Sequence, residues 1–248
     1  MSFDPDAVEV LLCDADGNLF PSEEPAFVAS AEVTNRLLAD VGARARYTPD
    51  ALRREAVGSN FRSFARELAA RHGAPLSEAA LERYVVEEKR AVTAQLARVL
   101  RPDARVLGPV GEIACSFRLA VVSSSASSRL DACFKAAGLA QLFPPAVRFS
   151  AEDSLPAPAS KPDPAVYRFA GERLGVSGRR ALAVEDAPAG VISAVAAGFP
   201  VVGNLAFVPA GERAARAGAL IEAGAVAVVG SWAELAELLG VRAARSVA

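Results

Sequence analysis

Val8-Glu9-Val10-Leu11-Leu12-Cys13-Asp14-Ala15-Asp16-Gly17 is the stretch from which the fold is read. Residues 8–13 are almost uninterruptedly apolar, and the run is too short for a helix. A run of this kind suits a strand covered on both faces, as in a parallel sheet flanked by helices. It stops at once on Asp14 and Asp16, with Gly17 next. Carboxylates placed directly at the end of a buried strand are costly unless something uses them. In open parallel sheets, ligands gather outside the carboxyl ends of the strands.

Beyond this strand the pattern changes. From Ser22 to about Leu100, apolar residues follow helical spacing: Phe27, Val33, Leu37, Leu38 and Val41, then Phe61, Phe64 and Leu68, then Leu81, Val85, Val92, Leu96, Val99 and Leu100. Gly58, Gly73 and Pro75 punctuate them, which predicts about four helices and no strand. From Arg118 strands return: 118–122, a short extended piece near 146–149, then 181–184, 199–203 and 225–229. Helices are predicted after the serine cluster to Ala137, over 164–174, over 187–197 and over 231–239. Strands alternating with helices predict an α/β fold with a doubly wound parallel sheet. The expected organisation is a split core, 1–21 plus 101–248, with an all-helical cap domain, 22–100, inserted after the first strand.

Composition excludes several classes. The chain has 248 residues, a formal net charge of −2 and 52% hydrophobic residues. Such a balance suits neither a disordered chain nor one that binds nucleic acid through a basic field. The stretch from Ala187 to Gly211 carries no charge. Pro188, Gly190, Gly198, Pro200, Gly203 and Pro209 divide it, so it reads as a helix feeding a buried strand rather than a membrane span. The first residues, MSFDPDAVEV, lack a basic segment followed by an apolar one, so a cytoplasmic location and no membrane partner are expected. Cys13, Cys115 and Cys133 are expected as buried free thiols. His72 is the one histidine. It is placed near a helix C-terminus by Gly73 and Pro75, and its isolation removes His-rich metal sites.

The chemistry-bearing residues fall at predicted strand or loop ends. They are Asp14 and Asp16; Ser123, Ser124 and Ser125; Lys161; and Glu185 with Asp186. Four carboxylates in one place repel one another unless a cation sits among them. All-oxygen ligands select a hard ion, which makes Mg²⁺ the expected cofactor. Serines opening a helix offer hydroxyl and backbone donors to a phosphate. Lys161 is one of only three lysines in a chain that otherwise uses arginine. A metal, an anion pocket and a spare carboxylate together describe phosphoryl transfer.

These motifs, in this order, resemble the haloacid dehalogenase superfamily, in its phosphatase and phosphomutase branch with a helical cap. LLCDADGNLF is similar to that family's first motif, LAVVSSS to its second, SKPDP to its third and AVEDAPAG to its fourth. The resemblance implies that Asp14 is a nucleophile forming an aspartyl-phosphate and that Asp16 is a general acid and base, protonated at the first step. It implies that Mg²⁺ is held by Asp14, the Asp16 carbonyl and Asp186, with Glu185 an additional or water-mediated ligand. Ser123, the Ser124 backbone and Lys161 would bind phosphoryl oxygens. Asn18 and Ala187 depart from the pattern, standing where Thr or Val, and Ser or Thr, are usual. The segment Gly58-Ser59-Asn60-Phe61-Arg62 joins two cap helices, and Asn60 and Arg62 are its candidate substrate contacts.

The expected function is a phosphatase for a small phosphorylated metabolite such as a sugar phosphate, with the cap closing over it. A phosphomutase of the β-phosphoglucomutase type is the first alternative. The region 22–29 has no histidine, which favours hydrolysis over that reading. A dehalogenase is disfavoured by Asp16, and a non-catalytic binding protein by the complete motif set.

Overall fold

The computed structural model describes residues 4–56 and 60–241. Gly58 and Ser59 lie outside the described residues. The chain divides into two compact units, with boundaries between Pro21 and Ser22 and between Leu100 and Arg101.

In the first unit, the opening run forms β1 (Val10–Cys13), with every residue inaccessible to solvent. The second unit follows with α1 (Glu23–Asp40), α2 (Pro49–Glu55), α3 (Phe61–Arg71) and α4 (Glu78–Val99). Thr48, Asn60 and Ser77 cap α2, α3 and α4 by accepting backbone N–H bonds from Ala51, Ser63 and Ala80. Val33, Leu37, Ala65, Ala69, Leu81 and Tyr84 form one buried cluster of this unit, and Leu38, Leu52, Phe64 and Leu68 another. His72 is the C-cap of α3.

The first unit then resumes with α5 (Ala104–Ala114), β2 (Arg118–Ser123), α6 (Ser127–Ala136), β3 (Arg148–Ser150) and α7 (Ala165–Leu174). It continues through β4 (Ala181–Glu185), α8 (Pro188–Ala196), β5 (Val201–Asn204), α9 (Arg213–Glu222), β6 (Ala227–Val229) and α10 (Trp232–Leu238). The strands form one sheet in the order β3-β2-β1-β4-β5-β6, every pair parallel. Val10 and Leu12 pack with Val166 and Ala170 of α7 and with Val191 and Ala194 of α8. Leu11 and Cys13 alternate to the opposite face and are equally buried. The uncharged stretch becomes α8 and β5, and no helix among the described residues is long and apolar enough to cross a membrane.

Two helices have no counterpart in the sequence expectations. In α5, Gly108, Pro109 and Gly111 read as breakers. Burial of Val106, Val110 and Ile113 and packing against α10 override that local preference. In α9 only Leu220 is buried, so the apolar period is too faint to mark a helix. The strand expected over 199–203 is displaced to Val201–Asn204 because Pro200 has no N–H for the ladder.

Cys115 corrects another expectation. It is exposed at the C-cap of α5, whereas Cys13 and Cys133 are buried. Burial raises the Cys133 thiol to about 12, and it raises Cys13 further still. A thiol reagent at about pH 8, near the ordinary cysteine range, should therefore modify one sulfur quickly in the native protein. All three should react after denaturation. Trapping and peptide mapping should place the fast site at Cys115; rapid labelling of Cys13 or Cys133 would contradict the described burial.

Candidate active site

Parallel pairing puts the carboxyl ends of β1, β2 and β4 on one edge of the sheet. Cys13 is in register with Val121 and Val184. The next residues therefore converge: Asp14 after β1, Ser123 at the end of β2, and Glu185 with Asp186 at the end of β4. Asp14 enters this group with its own N–H bonded to the Val184 carbonyl at 2.9 Å.

Lys161, from the loop before α7, lies at the centre. Its Nζ is 2.5 Å from Asp14 Oδ1, 2.6 Å from Glu185 Oε1 and 2.7 Å from the Val122 carbonyl. All three ammonium donors are thereby engaged. The Tyr167 hydroxyl also donates to Glu185 Oε1, and the Lys161 ammonium lies 5.2 Å from the Tyr167 ring centroid. Burial holds the Tyr167 hydroxyl well above the usual phenol range, with Glu185 adding to it, so it remains a donor.

Asp14, Glu185 and Asp186 can bring one carboxylate oxygen each within 4.8 Å of the others. Burial pushes Asp14 well above the usual carboxylate range; Glu185, Asp186 and Asp16 add to this and Lys161 opposes it. Burial and then Glu185 raise Asp186 to about 7, against Arg216 and Lys161. The protein's own cations thus leave the cluster short of positive charge. An all-oxygen, acid-rich donor set of this kind fits a hard divalent cation.

Two glycines make room for these groups. A Cβ on Gly190, at the start of α8, would fall on the Glu185 carboxylate. One on Gly17, which has a φ of 77°, would run into the Asp186 carboxylate.

Asp16 stands apart from the acidic cluster. Its Oδ2 accepts from Ser125 Oγ at 2.7 Å and its Oδ1 from Arg129 Nη2 at 2.8 Å. Ser123 is buried, and its Oγ accepts from the Ser125 N–H at 3.1 Å. Ser124 Oγ accepts from the Lys161 N–H at 3.2 Å, tying the serine loop to the lysine loop. The start of α6 differs in part from the expected anion cradle, because the Ser127 N–H is capped by Asp153 Oδ2 at 2.6 Å. In the helical unit, Asn60 is occupied in capping α3 and Arg62 pairs with Glu82.

Asn18 has a structural explanation. It is fully buried, and its Nδ2 donates to the Asp14 carbonyl at 2.9 Å and the Val184 carbonyl at 3.1 Å. Its Oδ1 accepts from Asn204 Nδ2 at 2.8 Å, and its backbone carbonyl accepts from Trp232 Nε1 at 2.9 Å. A threonine has one hydroxyl donor and could not bridge both carbonyls. Ala187, the other departure, leaves α8 without a side-chain N-cap. Sequence reasoning missed Tyr167, Arg129, Asn204, Trp232 and Arg216, whose side chain donates to the Asp186 carbonyl at 2.9 Å. Arg129 carried a faint signal, lying four residues beyond Ser125 at a helix start.

Comparison with known proteins identifies the family. Residues 8–198 match the family model for haloacid dehalogenase-like hydrolases. No curated protein matches the chain by sequence. Among solved structures, a haloacid dehalogenase family hydrolase from Deinococcus radiodurans, with bound phosphate and sodium, is 25% identical. The match covers 95% of this chain and 97% of that one with a TM-score of 0.63. A Thermotoga maritima protein provisionally assigned as a β-phosphoglucomutase is also 25% identical, over 94% of this chain and 99% of that one, with a TM-score of 0.68. A predicted phosphoglycolate phosphatase from Haemophilus somnus shares the fold at 19% identity, over 94% and 98% of the two chains, with a TM-score of 0.72.

Removing the central ammonium leaves the buried carboxylates without their partner. Lys161→Met should destabilise the protein by about 3–5 kcal/mol, the usual cost of breaking a buried pair from one side. Urea unfolding in the presence of chelator measures this. A loss below about 1 kcal/mol, the range of exposed ion pairs, would show that the bridge contributes little to folding.

Proposed function

Because the chain belongs to the haloacid dehalogenase-like hydrolases, we propose that it is an Mg²⁺-dependent phosphatase that hydrolyses a small phosphorylated metabolite, of the sugar-phosphate type, through an aspartyl-phosphate. The observation that carries this reading is the pairing of Asp14 with Lys161 at 2.5 Å inside a buried acidic cluster, with Asp16 separately held nearby.

An Asp14 carboxylate oxygen attacks phosphorus, and a new O–P bond forms as the bond to the ester oxygen breaks. Asp16 gives its proton to that leaving oxygen. Water then attacks the phosphoryl group on Asp14, the Asp14 O–P bond breaks, and Asp16 takes the proton from water. Inorganic phosphate leaves and both aspartates return to their starting states. Lys161 offsets charge beside the nucleophile, and Ser123 and Ser124 receive the phosphoryl oxygens from the serine loop.

Asp14 and Asp186, together with the Asp16 carbonyl, would hold Mg²⁺, with Glu185 as a further or water-mediated ligand. Bound there, the ion supplies positive charge to the phosphoryl oxygens. Glu185 already accepts from Lys161 and Tyr167, so its main work is to fix the lysine.

Hydrolysis of p-nitrophenyl phosphate should require Mg²⁺, stop on chelation, and fall by more than about a thousandfold in Asp14→Asn, as expected when a nucleophile is removed. Activity unchanged by either treatment would overturn the mechanism. With β-glucose 1-phosphate as substrate, glucose 6-phosphate forming faster than free phosphate would identify a mutase instead.

A further inference from the structure

The carboxylate of Asp16 is clamped from two directions by one short segment of chain. Ser125 Oγ holds one oxygen at 2.7 Å and Arg129 Nη2 the other at 2.8 Å. Both ends of this ion pair are about three-quarters buried. The clamp is itself anchored. The Ser125 N–H donates to Ser123 Oγ, and the Ser125 carbonyl accepts from Ser150 Oγ at 2.8 Å. The Arg129 N–H bonds to the Ala126 carbonyl at 3.0 Å as α6 begins.

We propose that Arg129 is a positioning residue, orienting Asp16 as the base that takes a proton from water when the aspartyl-phosphate on Asp14 is hydrolysed. The inference rests on the phosphatase reading above. A carboxylate has about four acceptor sites, so it can take several hydrogen bonds at once. Two donors on different oxygens fix the side-chain torsions. The rigid guanidinium does this with little loss of its own freedom. Since Ser123 and Ser124 lie on the same segment, the orientation of Asp16 is tied to the residues that receive the phosphoryl group. The step balances: the water oxygen forms its bond to phosphorus, the Asp14 O–P bond breaks, and the water proton moves to Asp16, where the next leaving oxygen collects it.

Stopped-flow hydrolysis of p-nitrophenyl phosphate by the full chain with Mg²⁺ tests this. The p-nitrophenolate leaving group needs little acid assistance, so its release reports formation of the aspartyl-phosphate, and steady turnover reports hydrolysis. Arg129→Met should release close to one equivalent in a burst. Its kcat should then fall about 10- to 100-fold, part of the usual acid–base contribution. KM should fall with kcat, leaving kcat/KM nearly unchanged, and Arg129→Lys should recover part of kcat. A merely structural role predicts kcat/KM falling with kcat and no burst. That result in Arg129→Met, or in Arg129→Lys if the methionine variant does not fold, overturns the proposal, as does wild-type kinetics. Asp16→Asn separates the two levels. It should show the same burst; if it instead turns over like the wild type, the acid–base reading itself fails.

Discussion

One ammonium set between two buried carboxylates organises the core of this protein. Lys161 Nζ reaches Asp14 and Glu185 at 2.5 and 2.6 Å and takes the end of β2 as its third acceptor. Each contact comes from a different strand end, so one side chain ties β1, β2 and β4 at the edge where a parallel sheet places ligands. The bridge is incomplete as a charge balance. Asp186 and Asp14 are both pushed upward by burial and by neighbouring carboxylates. A site built for stability alone would do better with apolar groups of similar size. The excess of negative charge is what a divalent cation held by Asp14, Glu185 and Asp186 would offset.

The surroundings meet the demands of that bridge. Gly17 and Gly190 lie where a methyl group would collide with the Asp186 and Glu185 carboxylates. Tyr167 donates to the same Glu185 oxygen as Lys161, so that oxygen is held by two groups. Asn18 joins the ends of β1 and β4 with one amide, and Asn204 and Trp232 hold Asn18 in turn. A buried polar network of this kind is worth most when its members are satisfied together. The side-chain amide of Asn18 therefore exceeds what a hydroxyl could do there, and the departure from the family pattern is matched by a partner on β5.

What could be read in the sequence follows from the range over which each signal acts. β1 was legible because a doubly buried strand writes itself as an apolar run, and Asp14 and Asp16 because charge directly after such a run needs a reason. The parallel α/β class followed from the same alternation farther along and is borne out by the sheet. α5 was hidden because Pro109 and its glycines speak locally for a loop, while the packing that overrules them comes from α10, far along the chain. The partnerships of Arg129 with Asp16, Asn204 with Asn18 and Tyr167 with Glu185 left no periodic trace. They join residues distant in sequence, and only the folded sheet brings them together. Cys115 was misjudged for a related reason: its neighbours in sequence are apolar, but its place at a helix end turns it outward.

Asp14 and Asp16 show how differently one fold can house identical side chains. Two residues apart, they project from one loop into different surroundings. Asp14 is buried against an ammonium and two further carboxylates. Asp16 is partly open and meets a hydroxyl and a guanidinium. Pairs of titratable groups whose surroundings differ in this way are the usual means of separating roles within one site. On the proposed reading, Asp14 as nucleophile would be relieved of charge by Lys161 and by a cation held in the acidic cluster. On the same reading, Asp16 as proton carrier would have its orientation held by Ser125 and Arg129. The two-residue spacing in the opening motif brings both groups to one end of the sheet, and the serine and lysine loops, joined through Ser124 and the Lys161 N–H, give each its own setting.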